Sequence, residues 1–301
     1  MNQRHQKAAP KTKLGIWLAA IRPATLWAGV VPVLVGAAMA KSAGHQPGWP
    51  SLAALIGAIQ IQIGTNLVND YADFKTGADG PDRLGPKRAA AQGWLTPRSI
   101  LIGASFALAS AGIVGIYLTW VGGLPILLLG LASIACAVGY TAGPWPLAYL
   151  GLGDIFVFAF FGLGAVCGTY YLEAQTVSLA AVIAGAAVGA LGTAILVVNN
   201  LRDRETDARV GKRTLAVRFG ERFTRVEYAL LVTLPFGLIV ICTILGVFSK
   251  WSLLVLLTLP VAAREVSAIF RKDGALLNAH LAGAARLELM FGVLLAVGVI
   301  L

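Results

Sequence analysis

Charge is scarce in this sequence. Asp, Glu, Lys and Arg make up 13% of its 301 residues, against 57% hydrophobic residues, whereas soluble domains run nearer a quarter charged. No polar block the size of a soluble domain interrupts the apolar runs, which excludes an ordinary water-soluble protein. Histidine and cysteine are equally sparse, with three of each. His5, His45 and His280 are scattered, which argues against a histidine metal centre. Cys136, Cys167 and Cys242 lie inside apolar runs without metal-ligand spacing, so neither a disulfide nor thiol chemistry is expected. Alternation of polar and apolar residues is missing as well. That excludes a transmembrane barrel and leaves helices to satisfy the backbone in lipid.

What remains is a series of long apolar segments, each near the roughly 20 residues that span a bilayer as helix. Nine are expected, centred near residues 32, 60, 108, 131, 161, 188, 238, 257 and 293. The seventh and eighth nearly merge around Ser249–Ser252, so eight is the alternative count. The fold class is an all-α membrane protein of about nine transmembrane helices. The first residues carry Arg4, Lys7, Lys11 and Lys13, and no small-residue cleavage site follows a short apolar core. Residues 1–14 are therefore expected to be a disordered basic cytoplasmic tail, and residues 15–301 a single transmembrane domain. With the N-terminus in the cytoplasm, all of the 24 Lys and Arg residues except Lys41 and Lys250 fall on the cytoplasmic side. That bias is the one the positive-inside rule describes. The formal net charge of +10 is thus explained by membrane topology, and no nucleic-acid partner is expected.

Two of the cytoplasmic stretches, expected as loops at about 66–98 and 199–226, gather the acids. "NLVNDYADFKTGADGPDRLGPKR" (Asn66 to Arg88) and "NNLRDRETDARVGKR" (Asn199 to Arg213) hold Asp70, Asp73, Asp79, Asp82, Asp203, Glu205 and Asp207, half of the chain's 14 acids. Asn66, Asp70 and Asp73 stand at i, i+4 and i+7, and Asn69 is four before Asp73. Asn199, Asp203 and Asp207 stand at i, i+4 and i+8. A helix continuing out of the membrane would carry each set on adjoining faces. Two facing carboxylate clusters repel unless a cation separates them, and hard oxygen donors without His or Cys favour magnesium, which shares its shell with phosphate. Lys75, Arg83, Lys87 and Arg88 follow the first cluster, and Arg202, Arg204, Arg209, Lys212 and Arg213 interleave with the second. Such cations are suited to grip a diphosphate, whose oily tail would lie among the helices. Acids that merely offset basic loops are the plainer alternative, weakened by the repeated Asn-to-Asp spacing of four.

A third stretch, "YTAGPWPLAYLGLGDIFVFAFFG" (Tyr140 to Gly162), contains no Lys or Arg, so Asp154 enters an apolar helix without a local partner. Asp154 reads either as a first-turn or capping acid or as a group that orients or deprotonates an acceptor substrate beside Tyr140. Tyr140, Phe158 and Phe160 are candidates to shield a developing carbocation with their ring faces, packing being the alternative. Glu265 and Glu288 are expected to pair with the nearby Arg264 and Arg286.

These pieces, together with "RPATL" (Arg22 to Leu26), "YLGLGDIFVFAFFG" (Tyr149 to Gly162) and "NNLRDRETDARVGKRTLAVRFG" (Asn199 to Gly220), resemble the UbiA superfamily of intramembrane aromatic prenyltransferases. The "DRLGPKR", "GLGD" and "GKRTLAVRFG" wording resembles its naphthoate branch. The resemblance implies nine helices around a central cavity, opening laterally to the lipid bilayer of the cell (inner) membrane, with the site facing the cytoplasm. It implies Mg2+-assisted transfer of a polyprenyl group from polyprenyl diphosphate to 1,4-dihydroxy-2-naphthoate, with loss of diphosphate and CO2, in menaquinone biosynthesis. A sister enzyme using 4-hydroxybenzoate is the enzymatic alternative, and a membrane transporter the alternative of another class. By position, the resemblance makes Asn66, Asn69, Asp70, Asp73, Asn199, Asp203 and Asp207 metal-motif residues. It makes Lys75, Arg83, Arg88, Arg202 and Lys212 diphosphate contacts. Asp70, Asp73, Asp203, Asp207 and Asp154 would carry the catalysis. Gly77 stands where the superfamily's last motif Asp is often found, and Asp79 follows two residues later. Asp79 is therefore either its replacement or a solvent-facing acid. The second motif begins with Asn199 where many relatives have Asp.

Overall fold

The computed structural model describes residues 12–77 and 83–301, and among them every regular element is helical. Helix α1 (Lys13–Ile21) begins at a Thr12 cap, whose hydroxyl accepts from the Gly15 amide at 3.0 Å. Lys13 and Leu14 are therefore helical, and not part of a disordered tail as expected. Residues 1–11 of that tail, like Asp79 and Asp82, lie outside the described residues. Arg22 separates α1 from α2 (Pro23–Ser42) in a left-handed conformation, φ 53°, and Pro23 suits the first helical position, where its missing N–H is not needed. Next come α3 (Trp49–Thr76) and α4 (Pro97–Gly139).

Eight helical stretches among the described residues are long and apolar enough to cross a membrane. One of them, α4, has 43 residues and would run roughly 65 Å if straight, twice the roughly 30 Å of a bilayer core. Gly123 (φ 64°, ψ −154°) breaks it into arms 97–122 and 124–139, a conformation open to glycine without a Cβ penalty. The arms coincide with the expected segments centred near 108 and 131; counted separately they make nine segments, close to the eight continuous stretches found among the described residues. The next crossing combines α5 (Gly153–Val157), a π-helical segment (Phe158–Gly164) and α6 (Ala165–Ala174). Then follow α7 (Leu179–Arg209), α8 (Leu215–Ile244), a 3-10 segment (Lys250–Thr258) leading into α9 (Leu259–Ile269), and α10 (Leu277–Ile300) behind a short 3-10 turn (Gly274–Leu276). The near-merger around Ser249 does not occur: α8 stops at Ile244, and the Ser249 side chain caps the following 3-10 segment.

The centre of the bundle is α7, buried from Ala181 to Asp207 at most positions. Its small residues explain the close approach, because helices in lipid associate through tight packing. A Cβ on Gly162 of the π segment would stand 2.5 Å from the Gly189 Cα, and one on Gly36 of α2 would stand 2.5 Å from the Val166 carbonyl oxygen. Large apolar side chains such as Phe106, Ile113, Ile116 and Trp120 instead point outward from α4, as they would toward lipid.

Polar residues sort to two rims. At one, Glu173 accepts from the Gly48 amide (3.0 Å), the Ser51 amide (3.0 Å) and the Ser51 hydroxyl (2.6 Å), a carboxylate serving the N-terminus of α3. The opposite rim collects the ends of α1, α3, α7 and α9 and the starts of α2, α8 and α10, tied by contacts such as Asn278 to Arg202 and Lys212 to Asp73. Most of the expected site lies there.

Candidate active site

Helix α3 runs on through Asn66, Asn69, Asp70 and Asp73 to Thr76, and α7 through Asn199, Asp203 and Asp207 to Arg209. Both acid sets are thus carried on helix ends, as their spacing predicts, and the loops expected at about 66–98 and 199–226 are correspondingly shorter. Gly77, φ 73°, ends α3 in the left-handed conformation that a C-terminal glycine supplies.

Each side chain has an identifiable anchor. Asn66 Nδ2 donates to the Ile21 carbonyl (2.9 Å) and to Thr25 Oγ1 (3.0 Å), while Arg22 donates to the Asn66 carbonyl at 3.4 Å. Asn69 Oδ1 accepts from the Thr141 hydroxyl at 2.6 Å. Asp70 is 1% exposed and accepts from the backbone amides of Ala89 (3.1 Å) and Ala90 (3.3 Å), so the segment after Arg88 folds back onto it. Asp73 joins two cations: Arg88 at 3.1 Å and Lys212 at 3.0 Å. Lys212 reaches Asp207 at 3.9 Å and lies 5.4 Å from the Tyr149 ring centroid. Burial alone would lower the pKa of Lys212, but Asp73 and Asp207 hold it above the ordinary lysine value, so it is charged at neutral pH. Arg202 forks onto its neighbour Asp203 (2.8 and 2.5 Å) and also reaches Asn199 at 2.7 Å. The two motifs are brought together as expected, with Lys212 bridging them. Lys75 is exposed and lies over the Tyr71 ring, whereas Arg83 holds the Pro86 carbonyl at 3.0 Å.

Below this rim lies a cavity of about 590 Å³, walled by α2, α3, both arms of α4 and the 153–174 crossing. Its polar lining includes Gln62, Asn66, Asn69 and Tyr140, and its aromatic wall Phe156, Phe160 and Phe161. Phe156 and Phe160 stack at a 6.0 Å centroid distance. Phe158, expected as a cavity aromatic, packs on Gly189 of α7 instead. Tyr140 is half-buried, and desolvation, followed by the nearby Asp154, Asp207 and Asp73, pushes its phenol upward. It therefore stays neutral and able to donate. Asp154 occupies the first turn of α5 without capping it; it is 6% exposed, and neither carboxylate oxygen has a hydrogen-bond partner among the described residues. It is electrostatically coupled to Glu227 of α8, which the sequence did not mark.

Two expected pairs differ from what forms. Glu265 bonds His280 at 2.6 Å and not Arg264, because the partner one turn along α10 faces it while the next residue on a helix does not. Glu288 is 1% exposed, faces Gly192, and has no hydrogen-bond partner among the described residues. Sequence reasoning also passed over Thr141, Gln62 and Asn278. Arg22 carried a structural signal of its own, a left-handed non-glycine backbone of the kind that clusters at functional sites.

Among the described residues no group of three or more His, Cys, Asp and Glu side chains is drawn together tightly enough to hold a metal ion. The donor chemistry nonetheless fits a hard divalent cation: the donors are all oxygens, and carboxylates of α3 and α7 approach a common cation, Lys212, at 3.0 Å from Asp73 and 3.9 Å from Asp207.

Eight apolar helical stretches among the described residues, around an oily cavity that ends at a rim of paired carboxylates and cations, define a polytopic membrane protein with an interior pocket for an amphipathic molecule. The chain belongs to the UbiA prenyltransferase family, which matches residues 29–280. It is 37% identical over 262 residues to the 1,4-dihydroxy-2-naphthoate octaprenyltransferase of Escherichia coli K12, covering 85% of each chain. It is 38% identical over 253 residues to the protein of that name from Mycobacterium tuberculosis, covering 84% of this chain and 85% of the relative. In fold it is similar to a UbiA homologue from Archaeoglobus fulgidus solved with DMAPP and Mg2+, at a TM-score of 0.65 and 14% identity, over 93% of this chain and 99% of that one.

Proposed function

We propose that this protein transfers a polyprenyl group from polyprenyl diphosphate to 1,4-dihydroxy-2-naphthoate, releasing diphosphate and CO2 and giving demethylmenaquinol for menaquinone biosynthesis. The observation that carries this reading is the junction of the two acid motifs directly above the oily cavity, in a chain 37% identical to a naphthoate prenyltransferase over 85% of its length. The diphosphate head would stop at the rim and the prenyl tail would lie along the cavity walls.

Asn66, Asn69, Asp70, Asp73, Asn199, Asp203 and Asp207 are the residues to hold Mg2+. When bound, the ion would neutralise charge on the departing diphosphate. Arg83, Arg88, Arg202, Lys212 and Lys75 are the cations to hold the diphosphate itself. For Arg88, Lys212 and Arg202 this means exchanging a carboxylate partner for a phosphate one. As the allylic C–O bond breaks, its electron pair leaves with diphosphate. The ring carbon then supplies the pair for the new C–C bond, and the C–CO2 bond breaks to restore aromaticity. Phe156 and Phe160 present ring faces to the cationic allyl group. Tyr140, which lines the cavity, would donate a hydrogen bond to the acceptor, and Asp154 beside it would hold a ring-hydroxyl proton during the attack, making the ring more nucleophilic, and return it to the quinol once CO2 has left.

We place the polar rim at the cytoplasmic face of the cell's inner membrane, supported by the one-sided distribution of Lys and Arg. An assay on membranes containing the protein tests the reaction by pairing each acceptor with a labelled polyprenyl diphosphate. Prenylated product from 1,4-dihydroxy-2-naphthoate is expected, abolished by Asp70→Ala or Asp203→Ala. Product from 4-hydroxybenzoate alone would overturn the assignment.

A further inference from the structure

Arg202 is one of the most enclosed cations in the protein, 3% exposed. Beyond the bonds to Asp203 and Asn199 on its own helix, its Nη1 donates to Asn278 Oδ1 at 2.9 Å. Asn278 is the second residue of α10, far from both acid motifs in sequence. Its Nδ2 donates in turn to the Leu84 carbonyl at 2.8 Å. The chain beside Leu84 lies close over the guanidinium, since a Cβ on Gly85 would come within 2.7 Å of Arg202 Nη2 and 3.3 Å of Arg83 Nη2. One amide thus links the second motif on α7, the start of α10 and the segment at 83–88 that follows the first motif.

The chemistry of an amide suits that link. It accepts from the guanidinium with its oxygen and donates to a carbonyl with its nitrogen, and it adds no charge to a site where a diphosphate must compete for every cation. Without Asn278, the acceptors holding Arg202 would be Asn199 and Asp203 alone, both on α7. A fork held only by Asp203 and Asn199 is tied to its own helix alone, and the 83–88 segment loses its tie to α10.

We infer that Asn278 is a positioning residue for diphosphate binding, holding Arg202 and the 83–88 segment, with Arg83 and Arg88, in one frame at the rim. The inference rests on the diphosphate reading given above. It concerns a residue outside both acid motifs, and it predicts an effect on the head of the donor substrate and not on the aromatic acceptor.

The test uses the full-length purified protein in lipid nanodiscs, with inorganic diphosphate and Mg2+ as the titrated probe in calorimetry. Asn278→Ala is expected to raise the Kd for magnesium diphosphate about tenfold, as for loss of one hydrogen bond to a charged group. In an Arg202→Gln background the same substitution is expected to add nothing, because both act through one contact. The KM for the naphthoate acceptor is expected to stay unchanged. Asn278→Asp keeps the shape of the side chain if Ala does not fold. It should both weaken diphosphate binding and speed tryptic cleavage after Lys87, because the tie to Leu84 is lost. Equal diphosphate affinity in wild type and both variants overturns the inference, as does full additivity with Arg202→Gln. No affinity in wild type overturns the diphosphate reading itself, and this inference falls with it.

Discussion

Lys212 illustrates how the site is assembled residue by residue. Its ammonium lies 3.0 Å from Asp73 and 3.9 Å from Asp207, carboxylates contributed by different acid motifs. Removing one partner of a buried ion pair leaves uncompensated charge, which costs about 3 kcal/mol or more. Lys212→Met is accordingly expected to lower the melting temperature in detergent and to abolish transfer, while Lys212→Arg keeps most of the stability. An unchanged melting temperature in the Met variant would show that another cation offsets the charge of these acids. At this scale the sequence was half legible. The spacing of Asn66, Asp70 and Asp73 showed which groups share a helix face, because a 3.6-residue period is a local property. It was silent on most of their partners: Thr141 and Asn278 meet the motifs only through the packing of distant helices, and Lys212, five residues beyond Asp207, reaches Asp73 only in that way. The Arg202 fork onto Asp203 is a contact between adjacent residues, which helical geometry ordinarily directs apart, and only a long, flexible side chain makes it. Glu265 was misread by giving weight to its neighbour Arg264 when His280 lay across the interface.

At the scale of elements, interruptions inside the helices do much to shape the cavity. The break at Gly123 turns one long helix into two walls, and the π segment at 158–164 sits opposite Gly185 and Gly189 of α7. π-helical turns recur at functional sites, and this one begins two residues after Phe156 and includes Phe160. Because a Cβ on Gly162 would meet α7 backbone at 2.5 Å, Gly162→Val is expected to destabilise the protein by about 2 kcal/mol or more and to reduce transfer. Gly237→Val on the exposed side of α8, where a Cβ meets nothing within 4 Å, should change stability by less than about 0.5 kcal/mol. Chemical or thermal unfolding of the two variants side by side decides this. The crossings were legible because some 20 apolar residues in a row leave few alternatives in lipid. The π turn was not, since one extra residue per turn leaves no compositional mark. The helical course of both motifs, on α3 beyond residue 65 and on α7 to Arg209, was anticipated from their spacing, and each shortens the loop expected there.

At the scale of the whole molecule, the two rims differ in kind. Paired carboxylates and cations gather at one, while the other is held by uncharged turns and the Glu173 cap. Orientation follows from the same asymmetry. A cysteine introduced at Gln46 is expected to react with an impermeant maleimide applied to intact cells, and one at Lys87 only after permeabilisation; the reverse pattern would invert the assigned topology. Overall fold class was the most legible property of all, because composition alone excludes water as the solvent for most of the chain. The cavity beneath the rim is apolar along most of its wall, with its polar groups few. On the proposed reaction, that wall separates the products by solvent. The leaving diphosphate belongs to water and can depart only past the cations. The prenylated ring, having shed both its carboxylate and the donor's charge, is a lipid with nothing left to hold it at the rim. The reaction itself thus converts a molecule tethered at the membrane surface into one that partitions into the bilayer, and emptying the site requires no aqueous exit for the oily product.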